Sequence, residues 1–276
     1  MRNRWFLWAI VFLAGTAAVW CQAPEVAGFP PQDKVALNQA HPSEGCTQEP
    51  ESFPLNDQDL RVINSGGGIL FSAGMTIDAD GAPNAYAPHD RGLDYTSNAR
   101  GPQGWVAVVT NEGGRPVIQR SGPYRGYYVS TTSLEQGNVR DERNPKRYID
   151  ATRVPYIALP PDFVRTFGIH LGDRAVVVNQ ANGRSAYAIF ADVSPKGRIG
   201  EGSIALAKAL VIRANPRYDG VEDGITYLIF PGSAAHAKGH ITARSVRISA
   251  ARLYRKWGGR ERLRSCEVAA LSTSTR

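Results

Sequence analysis

From Leu60 onward the chain is written in short apolar, β-branched and aromatic runs separated by turn residues. Gly68-Ile69-Leu70-Phe71, Trp105 to Val109, Tyr127 to Ser130, Val154 to Leu159, Ala175 to Val178, Tyr187 to Phe190 and Ile225 to Phe230 each have the length and composition of a strand. Asn111-Glu112-Gly113-Gly114 and Asn179-Gln180-Ala181-Asn182-Gly183 fall between such runs and read as hairpin turns. Helical signals are fewer. Ser203 can cap a helix over Ile204 to Val211, with Pro216 shortly beyond, and Pro160-Pro161 precedes a turn at Asp162 to Phe167. Arg247 to Arg264 has helical character broken by Gly258-Gly259. There is no internal repeat. The pattern predicts one β-dominated domain over residues 60–240, long enough to bury a substantial core. Residues 24–59, rich in Pro, Gln, Glu and Ser, read as an extended arm ahead of it.

The first residues alter the picture of where the chain works. Met1 to Arg4 carries two positive charges, and Trp5 to Trp20 carries none, the layout of a secretory leader over residues 1–23. Cleavage after Ala18 or Ala23, lipid attachment at Cys21 and retention as an uncleaved anchor all stay open, with a secreted protein the expectation. In that compartment three cysteines allow one bridge at most. If Cys21 leaves with the leader or carries lipid, Cys46 and Cys266 remain, and their pairing would tie the arm to the C-terminal tail. The five histidines are scattered, and neither they nor the cysteines have metal-ligand spacing, so no metal and no cofactor is expected.

Net charge is +7, which invites a nucleic-acid partner. Its distribution argues otherwise. Residues 241–276 hold nine basic residues against Glu261 and Glu267, enough to supply the whole excess, while the central domain is close to neutral. A basic tail of this kind reads as a solvated face. Neither nucleic acid nor a membrane partner beyond the N-terminal segment is predicted.

Chemistry concentrates in Phe190-Ala191-Asp192-Val193-Ser194-Pro195-Lys196-Gly197-Arg198-Ile199-Gly200-Glu201-Gly202-Ser203. Asp192 ends an apolar strand, a Pro-Lys-Gly turn follows, and Glu201 precedes the capped helix. Two carboxyls on the ends of rigid elements suit glycoside hydrolysis, in which one protonates the departing oxygen and the other activates water or attacks the anomeric carbon. Glu has the higher intrinsic pKa, which favours Glu201 as acid and Asp192 as base. Asp192 could instead be a turn residue, and Glu201 a charge placed near a helix start. Asp78-Ala79-Asp80-Gly81 has the opening of a calcium loop but lacks the later ligands, so a turn is the better reading. Asp78, Asp80, Asp90 and Asp94 are candidates to meet cationic amino sugars. Tyr128, with Tyr86, Tyr95 and Tyr127, is a candidate for stacking on sugar faces.

Taken in order, Asp78 to Tyr86, Gly92 to Tyr95, Gly126 to Leu134, Val154 to Ile157, Phe190 to Ser203, and Gly224 to Tyr227 with Gly232-Ser233 resemble the fungal-type chitosanases of glycoside hydrolase family 75. The resemblance runs from about Gly67 to Ser233 and stops short of the basic tail. It implies endo-hydrolysis of chitosan with inversion, and carries the catalytic pair onto Asp192 and Glu201. Ser194 departs from the pattern, which has Gly in many members. The stretch Val176 to Ser185, followed by the Asp-x-x-Pro turn and the Ser-started helix, is similar to double-psi barrels such as lytic transglycosylases of the rare-lipoprotein-A type, expansins and family 45 endoglucanases. That likeness implies a six-stranded double-psi-like β-barrel with added hairpins and a few short helices. It also brings two rivals: a peptidoglycan-cleaving enzyme and a glycan-binding barrel without catalysis.

Overall fold

The computed structural model describes residue 46 and residues 49–56, 58–236 and 240–272. The leader and most of the arm lie outside the described residues. Among the described residues no helix is long and apolar enough to cross a membrane.

Six strands close on themselves: β3 (Gly68–Asp78), β10 (Gly220–Phe230), β7 (Arg174–Asn179), β8 (Arg184–Val193), β6 (Tyr156–Leu159) and β9 (Glu201–Ser203), which returns to pair with β3. Two pairings, β6 with β8 and β3 with β9, are parallel, and the other four are antiparallel. This is the closed six-stranded barrel implied by the sequence likeness, and its two parallel pairings are consistent with a double-psi arrangement. Closure leaves no free edge around the ring, the usual solution to the unpaired N–H and C=O groups of an outer strand.

The hydrophobic periodicity explains what lies on each side of the wall. Ile69, Phe71, Met75 and Ile77 of β3, Ala175 and Val177 of β7, and Ile225, Tyr227 and Ile229 of β10 share the main core. Their alternates Leu70, Val176, Leu228 and Phe230 form a second cluster with Ile63, Trp257, Leu263 and Cys266. Strands buried on both faces read as continuous apolar runs rather than alternating ones, as Val176-Val177-Val178 does. The outer cover is supplied by α3 (Ala243–Trp257) and α4 (Gly259–Ser272), joined at Gly258 with φ 116°. The Gly258-Gly259 break is where the sequence predicted it. The basic tail is thus largely folded, and its helices of 15 and 14 residues are longer than the short helices expected. Val246 and Ala250 are fully buried beneath α3, and Arg244, Arg247 and Arg255 face solvent.

The arm also contributes structure. β1 (Glu51–Leu55) and β2 (Gln58–Ser65) form a hairpin that continues the sheet beyond β3, so the extended segment expected over residues 24–59 ends in paired strands. Phe53 enters the core against Phe163 of α1 (Pro161–Thr166), ring centroids 5.1 Å apart, and Phe71 stacks on Tyr227 at 4.9 Å. Cys46 and Cys266 form a disulfide, tying the start of this hairpin segment to α4.

Two expected strands take a looser form. After the small hairpin of β4 (Arg100–Gly101) and β5 (Gly104–Trp105), residues 106–130 make isolated bridges, Val108 with Ser130 and Ile118 with Tyr128 among them. Their backbone is still paired, for example Val109 N–H to Val129 C=O at 2.9 Å.

Candidate active site

β6 organises the site. Ala158 is in register with Asp192 of β8 on one side and with Glu201 of β9 on the other, and Thr76 of β3 stands opposite Glu201. Asp78 follows two residues after Thr76 and so shares its face, as Tyr156 shares that of Ala158. A bulge makes this row possible. Ile157 pairs with Phe190 but Ala158 pairs with Asp192, which leaves Ala191 as an extra residue on β8. Phe190 and Ala191 both join the core, and Asp192 is turned away from it. Without the extra residue, strict alternation would put Asp192 on the same side as Phe190.

The turn between the two acids is tied down at both ends. Ser194 N–H donates to the Leu159 carbonyl at 3.1 Å, and Ser194 Oγ–H donates to the Arg198 carbonyl at 2.7 Å. The residue that departs from the family pattern therefore closes the turn. Asn56, at the tip of the β1–β2 hairpin, donates from Nδ2 to the Gly197 carbonyl at 2.9 Å. Gly200 must be glycine: its φ is +82° and a Cβ would stand 2.5 Å from the Gly74 carbonyl oxygen. Ser203 begins α2 (Ile204–Ala209), its Oγ accepting from Leu206 N–H at 3.1 Å.

Asp78, Asp80 and Asp192 each bring a carboxylate oxygen within 4.8 Å of the others, and among the described residues this is the group that could hold a metal ion. Their bonding favours shared protons over a cation, because donors already point at the oxygens. Asp192 Oδ1 accepts from Ser133 N–H (3.0 Å), Ser133 Oγ–H (2.6 Å) and Val193 N–H (2.8 Å). Asp80 Oδ1 accepts from the Tyr86 hydroxyl at 2.6 Å, and Asp78 Oδ1 from Asp80 N–H at 2.8 Å. Tyr156 donates to the Asp80 carbonyl at 3.0 Å. The Asp78-to-Gly81 segment is the turn expected, folded back on itself, with Gly81 N–H held by Ser130 Oγ at 3.0 Å.

The electrostatics follow from burial. Asp78 and Asp80 are driven well above the usual carboxylate range, first by desolvation and then by neighbouring acids: Glu201 and Asp192 for Asp78, Asp78 and Asp192 for Asp80. Glu201 is pushed up to about 7 by burial, with Asp192 and Asp94 adding to the shift and Arg198 opposing it. Its side chain accepts no hydrogen bond from the described residues. Asp192 is also raised by burial, but the Ser133 and Val193 donors pull against that. One row of backbone thus carries an acid that holds its proton up to about pH 7 and an acid whose donors favour its charge.

An open cavity of about 230 Å³ lies beside this row, lined by Asp80, Val106, Thr132, Ser133, Asp192 and Val193 among others. Glu201 is not in its wall. Asp94 is 4% exposed, with both oxygens bonded to Asn98 Nδ2, and belongs to the surroundings of Glu201. Asp90 lies further out, binding Thr96. Tyr128 is half-buried in the irregular ribbon, edge-on to Trp105 at 5.6 Å, and Tyr86 serves Asp80. Ser133 and Tyr156 were not singled out by residue type. Both lie inside stretches that carried the family resemblance, and that position was the only signal.

The sequence model described as "Fungal chitosanase of glycosyl hydrolase group 75" matches residues 75–255, well over half of the chain. The chain belongs to this family. It is therefore a glycoside hydrolase of the chitosanase type, with chitosan the implied substrate. The match covers β3 from Met75, the whole acidic row and most of α3, so the chitosanase family reaches further into the basic tail than the sequence resemblance did. No protein of curated description matches the chain.

Proposed function

We propose that this chitosanase is exported, cuts β-1,4 linkages between glucosamine units within the polymer, and inverts the anomeric carbon, with Glu201 as general acid and Asp192 as general base. Glu201 gives its proton to the glycosidic oxygen as the bond to the anomeric carbon breaks. A water attacks that carbon from the opposite face and passes its proton to Asp192.

The observation that carries this reading is the shared register at Ala158. Neighbouring strands lie about 4.7–4.9 Å apart, so the two acids stem from backbones roughly 9–10 Å apart on one face. A backbone gap of that size is compatible with a separation of about 6.5–9.5 Å between the carboxyl groups, which leaves room for a water. The contrast between Glu201, raised to about 7 and without a donor among the described residues, and a donor-rich Asp192 supports the division of roles. Asp80, in the cavity wall, and Asp78 behind it are the groups best placed to meet an ammonium, whose arrival would draw them toward their charged forms.

Asp192→Asn and Glu201→Gln should each fold normally and lose about 10²–10⁴-fold in reducing-end release from chitosan. Retained activity in either variant removes the assignment. Chitin and peptidoglycan assayed alongside separate this reading from the wall-cleaving one, and proton NMR of the first product formed reads its anomeric configuration.

A further inference from the structure

We propose that Ser133 is a positioning residue that decides which carboxyl of the acidic cluster carries the negative charge and which of its oxygens receives the proton from water. The inference rests on Asp192 being the base.

Three carboxyls whose oxygens lie within 4.8 Å cannot all ionise in a buried setting, so something must choose among them. The donors are distributed unequally. Asp78 has one backbone N–H and the phenol of Tyr156, and Asp80 Oδ1 one phenol, whereas Asp192 Oδ1 alone collects three donors, two of them from Ser133. Hydrogen bonds to an ionised acceptor are roughly twice as strong as neutral ones, so the charge settles where the donors converge. All three address Oδ1. Oδ2 has no donor among the described residues and is the oxygen left for a water in the adjoining cavity, whose wall includes both Asp192 and Ser133.

Ser133 is held in place independently of Asp192. The next residue, Leu134, donates its N–H to the carbonyl of Ala191, the bulge residue, at 2.8 Å. Thr132 Oγ–H donates to the Leu134 carbonyl at 2.7 Å and accepts from Ile149 N–H at 2.9 Å. The same loop thus pins the bulge that turns Asp192 outward and supplies the hydroxyl that fixes its ionisation. Ser133 itself is exposed, so trimming its hydroxyl opens no hole in the core. The other groups around Asp192 are Asp78 at the end of β3 and Asp80 just past it, Tyr156 from β6 and Glu201 from β9; the intervening turn carries the cations Lys196 and Arg198, of which Arg198 acts on Glu201. None of them donates to Asp192 as Ser133 does.

The test is the pH dependence of kcat/KM for chitosan in the wild type, Ser133→Ala, Ser133→Thr and Asp192→Asn, with melting temperature followed for each. Ser133→Ala should move the acidic limb upward by about one pH unit, lower kcat most at the acidic end and leave KM unchanged. Ser133→Thr, which keeps the hydroxyl, should restore the limb. An unmoved limb in Ser133→Ala, a loss uniform across pH, or a threonine variant as impaired as alanine would overturn the inference. An active Asp192→Asn would instead overturn the underlying assignment of the base.

Discussion

At the scale of single residues, the proposed general acid is a burden on the fold. Glu201 has its ordinary value of 4.5 raised to about 7 in the folded state, chiefly by burial. The sign follows from linkage: below the unfolded value both states hold the proton and nothing is lost. As pH climbs through that value toward 7 the unfolded chain ionises first and is favoured. The penalty reaches up to about 3 kcal/mol once both states are ionised. Glu201→Gln, inactive by the assignment above, should therefore melt several degrees higher than wild type at pH 7.5 and differ little from it at pH 4.5. Calorimetry at the two values checks this, and an equal shift at both would show that the gain is not protonic.

At the scale of elements, what was legible in the sequence depended on how local the signal was. Ser203 before an apolar stretch and Gly258-Gly259 within a basic one marked a helix start and a helix break, because caps and left-handed glycines are written in one or two residues. Asp192 and Glu201 stood out for the same reason. The partnership of Ser133 with Asp192 spans 59 positions, and the third and fourth carboxyls join the cluster only because β3 and β9 run parallel across the ring. β9 itself is three residues long, too short to have a period. Segment 88–96 shows what such distant ties do. Arg217 donates from Nε to the Leu93 carbonyl at 3.2 Å and from Nη2 to the carbonyls of Gly92 (2.8 Å) and Asp90, and lies 4.5 Å from the ring centre of Tyr95. This fork anchors the loop that carries Asp94 toward Glu201. Arg217→Lys keeps the charge but not the planar fork, and should weaken activity about tenfold with little change in melting temperature. Steady-state kinetics on chitosan oligomers decide it.

For the whole molecule, the barrel wall needs its outer cover. Trp257, Leu263 and Cys266 bury the outward alternates of β3, β7 and β10, and Trp257 donates its indole N–H to the Ser65 carbonyl at 2.8 Å. The disulfide closes this layer over a sequence separation of 220 residues. Chain-entropy arguments give a bridge of that span a stabilisation of about 5 kcal/mol, reached only if the reduced chain keeps no residual order. Cys266→Ser should lower the melting temperature markedly and loosen α4, while chitosan turnover at low temperature stays close to wild type, since no side chain of the acidic row touches the bridge. Hydrogen exchange along α3 and α4 reads the first effect and reducing-sugar assays the second.

The register at Ala158 has an engineering consequence. The gap between the two acids is inherited from hydrogen-bonded ladders, a dimension that neither loop exchange nor surface mutation can stretch by much. On the proposed assignment, variation in the ribbon and in segment 88–96 is thereby free to retune how the polymer is gripped, while the distance from general acid to general base stays constant.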